Sequence, residues 1–399
     1  MCGGFQHVQE EVAVRQVRIQ DEVYRYFKMK IRLFPDGRIH SAYLDMVKHP
    51  PEGVEYVGKF EFSPGTSYDM NNKNMVRKVL DMVEFPYLFG VESDCLIHSC
   101  QKLLWTKSDF VVDIEHGNPF MGAYHVHKYR YPQFRHIVDK ILSAGNCKAI
   151  LPWSNTASVS FMLNFMFLRG GVFDKIRVIH PAVEFVGARK KFDRFTFMFV
   201  AGGSFYAKGG LQTLQAFELL RRDYCEDVHL IMMGEIPDEI YTRYGGMSGL
   251  HLMGQMPREK LLDALSHCHC LVLPSHADTF GMTVLEAKAR GVPAIMADSF
   301  AADEVVTHGH TGYLVGVDRT VDLRFDNYGR KRIGKGEFHR QFAGYIPDAL
   351  HVTEILHAMS DMIFSHKNMG RNCLDEVRNG KFSIGVRNAA LKEVYEGGI

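Results

Sequence analysis

The sequence predicts an α/β protein of two doubly wound parallel-sheet domains, and three observations carry that expectation. Short apolar runs recur along the chain, each stopped by Gly, Pro or a polar loop, and read as buried strands. Helical patterns separate many of them, as strand–helix–strand units require. The length of 399 residues suits two such domains rather than one. Composition fits the same class. Apolar residues make up 46% and charged residues 23%, enough to fill a sizeable core. Lys plus Arg total 47 against 46 acids, so no strong overall field draws the chain to nucleic acid or to a membrane. Residues Met1 to Gln20 lack the apolar centre of a signal peptide, and no apolar run reaches the roughly 18 residues a bilayer span needs. The eight cysteines are scattered, which predicts a reducing compartment, no disulfide framework and a cytoplasmic protein.

In order, residues 1–28 show no sharp period and leave an added strand or an arm equally open. Lys30 to Phe34 reads as the first strand, followed by the loop Pro35-Asp-Gly37-Arg38 and a helical stretch from Ser41 to Val47. Val54 to Val57 and Asp94 to His98 read as further strands, with a helical segment from Asn74 to Glu84 between them. Phe110 to Ile114 is a strand running into His116, a position at the rim where open α/β sheets bind ligands. Lys148 to Leu151 is a strand, Phe161 to Leu168 a buried helix, and Lys175 to Ile179 a last strand before Pro181. Glu184 to Phe192 is charged enough to be an interdomain linker.

The second half opens with the apolar strand Phe195 to Val200 and the loop Ala201-Gly202-Gly203-Ser204. Lys208-Gly209-Gly210 then starts a helix through Leu220; a Gly-rich loop with a Lys ahead of a helix suits a phosphate. Val228 to Met233 and Leu250 to Met253 are strands ending at Gly234 and Gly254, and Arg258 to Ser266 is helical. The run His267-Cys268-His269-Cys270 has metal-ligand residue types, but strand alternation sends its histidines and cysteines to opposite faces, so no metal is expected. Cys270 to Leu273 is a buried strand, stopped by Pro274. Good helix formers run from Met282 and end at Gly291-Val-Pro293, with Phe280-Gly281 at the start. The amides of Gly281, Met282 and Thr283 then face outward as an anion site, bracketed by Asp278 and Glu286. A carboxylate repels phosphate, so its use there is to accept hydrogen bonds from hydroxyls. Phosphate with hydroxyls on both sides describes a nucleotide sugar. Val352 to Phe364 and Val386 to Tyr395 read as closing amphipathic helices.

The stretch from Asp278 to Glu286 resembles the acidic-x7-Glu signature of family 4 (group 1) retaining glycosyltransferases of the GT-B fold. The resemblance is colinear from about Phe195 to Val315 and only a sketch before Ser154. It implies an N-terminal acceptor-side domain over 1–185, a donor-binding domain over 186–383, and a crossover helix at about 384–399 returning to the first domain. It implies that Asp278, one methylene shorter than the usual Glu, holds the donor hexose together with His116, and that Glu286 holds the ribose. Phosphate and sugar fall to Lys208 and to Phe280, Gly281, Met282 and Thr283. The base falls to the rims at Gly234 and Gln255-Met256, and the loop around Gly37 faces sugar and acceptor, with Arg38 placed to meet a negative group. Glu304 is expected to cap a helix rather than touch a ligand. One departure stands out: the family carries Arg where this chain has Gly203.

The resemblance implies transfer of a hexosyl unit from a UDP- or GDP-sugar to a carbohydrate or lipid-linked hydroxyl, with retention, no metal and no bound cofactor. The alternatives are an epimerase or phosphorylase on the same fold, or a degenerate scaffold that binds a sugar nucleotide without turning it over. Residues 316–350 depart from the family and carry Arg319, Arg324, Arg330, Lys331, Arg332 and Lys335. Such charge fits an acidic acceptor, peripheral contact with a phospholipid surface, a partner, or a solvated insertion.

Overall fold

The computed structural model describes residues 28–34, 37–63, 92–116, 132–276, 278–321 and 340–397. The expected helix at Asn74 to Glu84, the first 27 residues and the basic run from Arg324 to Lys335 lie outside them.

The first sheet is built from β1 (Met29–Phe34), β3 (Val54–Val57), β5 (Leu96–Cys100), β6 (Phe110–Ile114) and β7 (Cys147–Pro152), in the order β3-β1-β5-β6-β7. The second takes β8 (Phe195–Gly202), β9 (Val228–Gly234), β10 (Leu250–Leu252), β11 (Cys270–Leu273), β12 (Ala294–Ala297) and β13 (Gly312–Val315), in the order β10-β9-β8-β11-β12-β13. All pairings in both sheets are parallel. Parallel strands are covered on both faces, and β6 and β11 are buried at every residue accordingly. Helices α2 (Pro132–Ser143), α3 (Asn155–Asn164), α4 (Gly210–Asp223), α5 (Asp238–Tyr244), α6 (Arg258–His267), α7 (Met282–Lys288) and α8 (Ala302–Val305) connect the strands. Each fully buried Phe of the sheets, such as Phe110, Phe197 and Phe199, contributes about 1.5–3 kcal/mol by leaving water.

Several elements differ from expectation. Gly37 lies not in a loop but in β2 (Gly37–His40), which pairs in parallel with β4 (Phe60–Ser63). The helix that follows is short, α1 (Leu44–Lys48), after a 3-10 turn over Ser41–Tyr43. Strand β5 begins two residues later than expected because the Ser93 hydroxyl accepts the Cys95 N–H at 3.3 Å, holding that segment in a turn. The expected buried helix at Phe161 to Leu168 is the end of α3 and a turn after it, and Met166 is 74% exposed. Lys175 to Ile179 follows β7 without becoming a strand. Arg177 N–H and Ile179 N–H reach Ile150 O and Pro152 O at 2.9 Å each, and the next donor in that alternation would be Pro181, which has none.

The closing helices carry the two domains together. Helix α9 runs from Ala349 to Arg378, more than twice the expected length, with Asp348 capping its start through Leu350 N–H at 3.0 Å. It passes so close to the turn after α7 that a Cβ on Gly370 would lie 2.6 Å from the Gly291 carbonyl. Helix α10 (Ile384–Tyr395) returns to the first domain. There the Tyr395 hydroxyl lies 2.6 Å from His98 Nδ1 and 3.1 Å from the Tyr56 hydroxyl, and Arg387 donates to His49 O at 2.8 Å. Among the described residues, no helix is long and apolar enough to cross a membrane.

Candidate functional site

The carboxyl ends of β8 and β11 meet because of one glycine. Gly209 has φ +83°, and a Cβ there would lie 2.4 Å from the Pro274 carbonyl, so only glycine lets the loop after β8 lie against the loop after β11. The approach brings Lys208 to Asp278, with Nζ 2.7 Å from Oδ2. The other Asp278 oxygen accepts the Gly281 N–H at 3.0 Å, and Gly281, at φ +80°, caps α7. Burial pushes the Asp278 carboxyl up, but Lys208 and these amide bonds outweigh it and hold it below its ordinary value of 3.8. Lys208, Asp278 and Gly281 are therefore brought together, and Met282 and Thr283 open the helix just beyond. The expectation of a free amide at Gly281 is corrected: Asp278 takes it.

Two other residues that the resemblance assigns to the donor, Phe280 and Glu286, are buried. Phe280 is 1% exposed and sits among Trp153, His180 and Phe382, with centroid distances of 6.4, 6.2 and 6.2 Å. These rings surround it where the two domains meet. Glu286 is 6% exposed and ion-paired with Arg258, the first residue of α6. Burial raises its carboxyl above the ordinary 4.5, and Arg258 offsets this only in part. Arg258 was invisible to sequence reasoning, since nothing in a Pro-Arg-Glu helix start names its partner.

Gly203 and Gly234 lie at one mouth. Gly234 has φ +119°, and a Cβ there would meet Gly202 N and O at 2.8 Å, so the tips of β8 and β9 interlock. Beside them is a cavity of about 370 Å³ with Gly203, Ser204, Tyr206, Glu235 and Phe342 in its walls. A Cβ on Gly203 would lie 3.5 Å from Glu235 Oε2, so a carboxylate stands where the family resemblance leads one to look for a guanidinium. Gln255 reaches this acid at 2.7 Å, whereas Met256, expected at the base, packs against the core. Sequence reasoning missed Glu235; its signal was an acid directly after a strand-ending Gly.

On the first domain, His116 stands half-buried just past β6, its Nε2 3.8 Å from Glu115 Oε1. A buried polar network that the sequence did not announce lies beneath it in the fold. Asp113 accepts from the Tyr43 hydroxyl at 2.8 Å and from Trp153 Nε1 at 3.3 Å, and His98 Nε2 lies 3.3 Å from it. Between the domains, both Glu304 oxygens cap α3, taking the N–H groups of Asn155 and Thr156 at 2.8 Å each and both their side chains. Burial raises the Glu304 carboxyl, and these bonds prevail to leave it lowered.

The His267–Cys270 run is not the strand that the alternation argument assumed: His267 ends α6 and only Cys270 lies in β11. His267 Nδ1 is 2.7 Å from Lys190 O, His269 Nδ1 accepts the Thr196 N–H at 3.1 Å, and both cysteines are buried. Among the described residues, Asp45, His49 and Glu184 bring ligand-type atoms within 4.8 Å of one another. Burial raises the Asp45 carboxyl and Arg258 and Arg387 pull it back; those cations disfavour another one there.

Residues 185–323 match the family model described as glycosyl transferases group 1. A D-inositol 3-phosphate glycosyltransferase of Nocardia farcinica is 29% identical over 117 residues, 27% of this chain and 26% of that protein. An N-acetyl-alpha-D-glucosaminyl L-malate synthase of Bacillus anthracis is 32% identical over 101 residues, 24% of this chain and 26% of that protein. The chain thus spans about a quarter of the length of the curated relatives it matches. The crystal structure of Anabaena Alr3699/HepE in complex with UDP and glucose is similar at TM-score 0.56 and 13% identity, covering 92% of this chain and 99% of that one. A glycosyltransferase from Rickettsia africae ESF-5 is similar at TM-score 0.57 and 13% identity, covering 92% and 98%. At that identity the likeness is one of fold, and the fold is GT-B.

Proposed function

We propose that this chain, a group 1 glycosyl transferase domain at residues 185–323 within a GT-B fold, moves a hexosyl unit from a nucleoside diphosphate sugar to an acceptor hydroxyl. Retention of configuration and independence of divalent metal are part of the proposal. The observation that carries it is the Lys208–Asp278 pair at the start of α7, a cation, a carboxylate and a helix start assembled from two strand ends. A similar fold in complex with UDP-glucose supports the donor class.

The chemical demand is charge. As the glycosidic bond breaks, the diphosphate gains negative charge and the anomeric carbon becomes oxocarbenium-like. Lys208 turns from Asp278 toward the phosphate, and the first-turn amides of α7 assist it, a fixed electrostatic stabilisation that needs no metal. Asp278, freed in part from Lys208, accepts hydrogen bonds from hexose hydroxyls, and His116 meets the sugar from the first domain. The departing phosphate takes the acceptor proton, so no separate general base is required.

Titration calorimetry with UDP, GDP, ADP and TDP, with and without EDTA, tests the reading. One nucleotide is expected to bind at micromolar strength and to ignore EDTA. Failure of all four to bind overturns the donor assignment and favours a protein that scaffolds a partner.

A further inference from the structure

Resting on that donor reading, we propose that two pieces of the stretch that departs from the family, residues 318–321 and 340–348, buttress the Lys208–Asp278 pair, with Gln212, His276 and Asp318 as positioning residues. The pair stands on two loops that are tied to each other at the backbone. Lys208 follows Ala207, whose carbonyl accepts the His276 N–H at 2.9 Å, and Asp278 lies two residues beyond His276. The side chains repeat the tie. Gln212, in the first turn of α4, donates from Nε2 to His276 Nε2 at 2.7 Å. One amide thus joins the helix behind the lysine to the loop before the acid. The same Nε2 lies 3.3 Å from Asp318 Oδ2, where the third segment enters. Asp318 accepts from the Tyr345 hydroxyl, from Asp348 N–H at 3.1 Å and, through its other oxygen, from Thr320 N–H at 2.8 Å. An apolar contact runs alongside. Ala207, Val321 and Phe342 are buried together, with Tyr206 and Tyr345 packed against them, and the Phe342 ring meets the His276 ring at a centroid distance of 5.7 Å.

Stability alone does not account for this chain of polar groups. Gln212, His276 and Asp318 are at most 3% exposed, and taking such groups out of water costs free energy that their hydrogen bonds only offset. For Gln212 the offset is incomplete: its Oε1 is buried and, among the described residues, has no partner. A methionine at 212 would fill the same helix face without that cost. What the polar chain supplies is direction, because hydrogen bonds fix angles as well as distances and apolar contact does not. His276 suits its place in it. Burial brings its imidazole down to about 4, so the ring is neutral near pH 7 and Nε2 can accept from Gln212. The chain ends beside the groups that meet the donor phosphate, where a misplacement of about 1 Å is enough to weaken an interaction strongly. A stretch that looks like a solvated insertion in the sequence therefore contributes, through Asp318 and Tyr345, to where Lys208 stands.

A double-mutant cycle on the full chain tests the buttress, read by calorimetry with whichever of UDP, GDP, ADP and TDP binds. Lys208→Ala should weaken that nucleotide by roughly tenfold or more, the loss of one charge-assisted phosphate contact. Gln212→Met should weaken it by roughly fivefold in the wild type, and by less than about twofold once Lys208 is already alanine, because it acts through the lysine. Tyr345→Phe keeps the ring and its packing and should follow the same pattern at roughly threefold. It decides the matter if Gln212→Met does not fold. Equal losses in the presence and absence of Lys208 overturn the proposal and make the network a support of the fold alone. Wild-type affinity in both Gln212→Met and Tyr345→Phe overturns it as well. A wild type that binds none of the four nucleotides overturns the donor reading beneath it instead.

Discussion

Two ion pairs flank helix α7, and their surroundings give them opposite characters. Lys208–Asp278 lies at its start and Arg258–Glu286 on its second turn, each joining a basic residue from elsewhere in the domain to an acid of one short stretch. The side chains are 29% and 13% exposed in the first pair, 33% and 8% in the second. Yet Asp278 is held below its ordinary carboxyl range and Glu286 above it. Asp278 receives backbone N–H bonds besides its lysine; for Glu286, burial outweighs its arginine. Acids eight positions apart in one stretch are thus shifted in opposite directions by their surroundings.

The comparison can be broken first at the residue between the pairs. Phe280→Ala removes a buried ring shared by both domains and should cost about 3–5 kcal/mol, read as a lowered denaturant midpoint. Next, Lys208→Ala should lower the transfer rate by roughly 10²–10³ while moving the melting temperature little, because an electrostatic donor to the leaving group is lost. An equal loss in both measurements would make the pair structural.

Glu304 sharpens the contrast as a lowered carboxylate with no lysine or arginine needed: helix-start N–H groups serve it instead. Glu304→Gln should cost about 1–2 kcal/mol by chemical denaturation. The smallest effect is a difference of sign in pH dependence. The Asp278 carboxyl is lowered on folding, so its contribution is present above the unfolded value near 3.8 and lost as pH falls toward the folded one. The Glu286 carboxyl is raised, so folding gains by proton uptake at low pH and loses that gain as pH rises from about 4.5 through the folded value. Asp278→Asn should therefore flatten the acid loss of stability, and Glu286→Gln should steepen it.

How much was legible in the sequence follows from where partners lie. Phe110 to Ile114 and Cys270 to Leu273 were read to the residue because buried parallel strands are uninterrupted apolar runs with sharp stops. Lys208 and Asp278 stand out in the sequence because Lys208 precedes Gly209-Gly210 and Asp278 lies three residues before Gly281 at a helix start. Strand β2 was not, since its pairing with Phe60–Ser63 comes from outside its own segment. Phe280 is assigned to the donor by the family resemblance alone, and the rings that bury it, Trp153, His180 and Phe382, come from distant segments that no local pattern announces. Arg258 and Glu235 are single charges whose meaning depends on Glu286 and Gly203, and no local pattern encodes such a meeting.

The Glu304 cap has a consequence for motion. Helix α3 belongs to one domain and the acid that completes its first turn belongs to the other, so hinge opening must uncap it. Amide hydrogen exchange at Asn155 and Thr156 should then act as a gauge of the angle between the domains, slowing whenever a ligand draws them together.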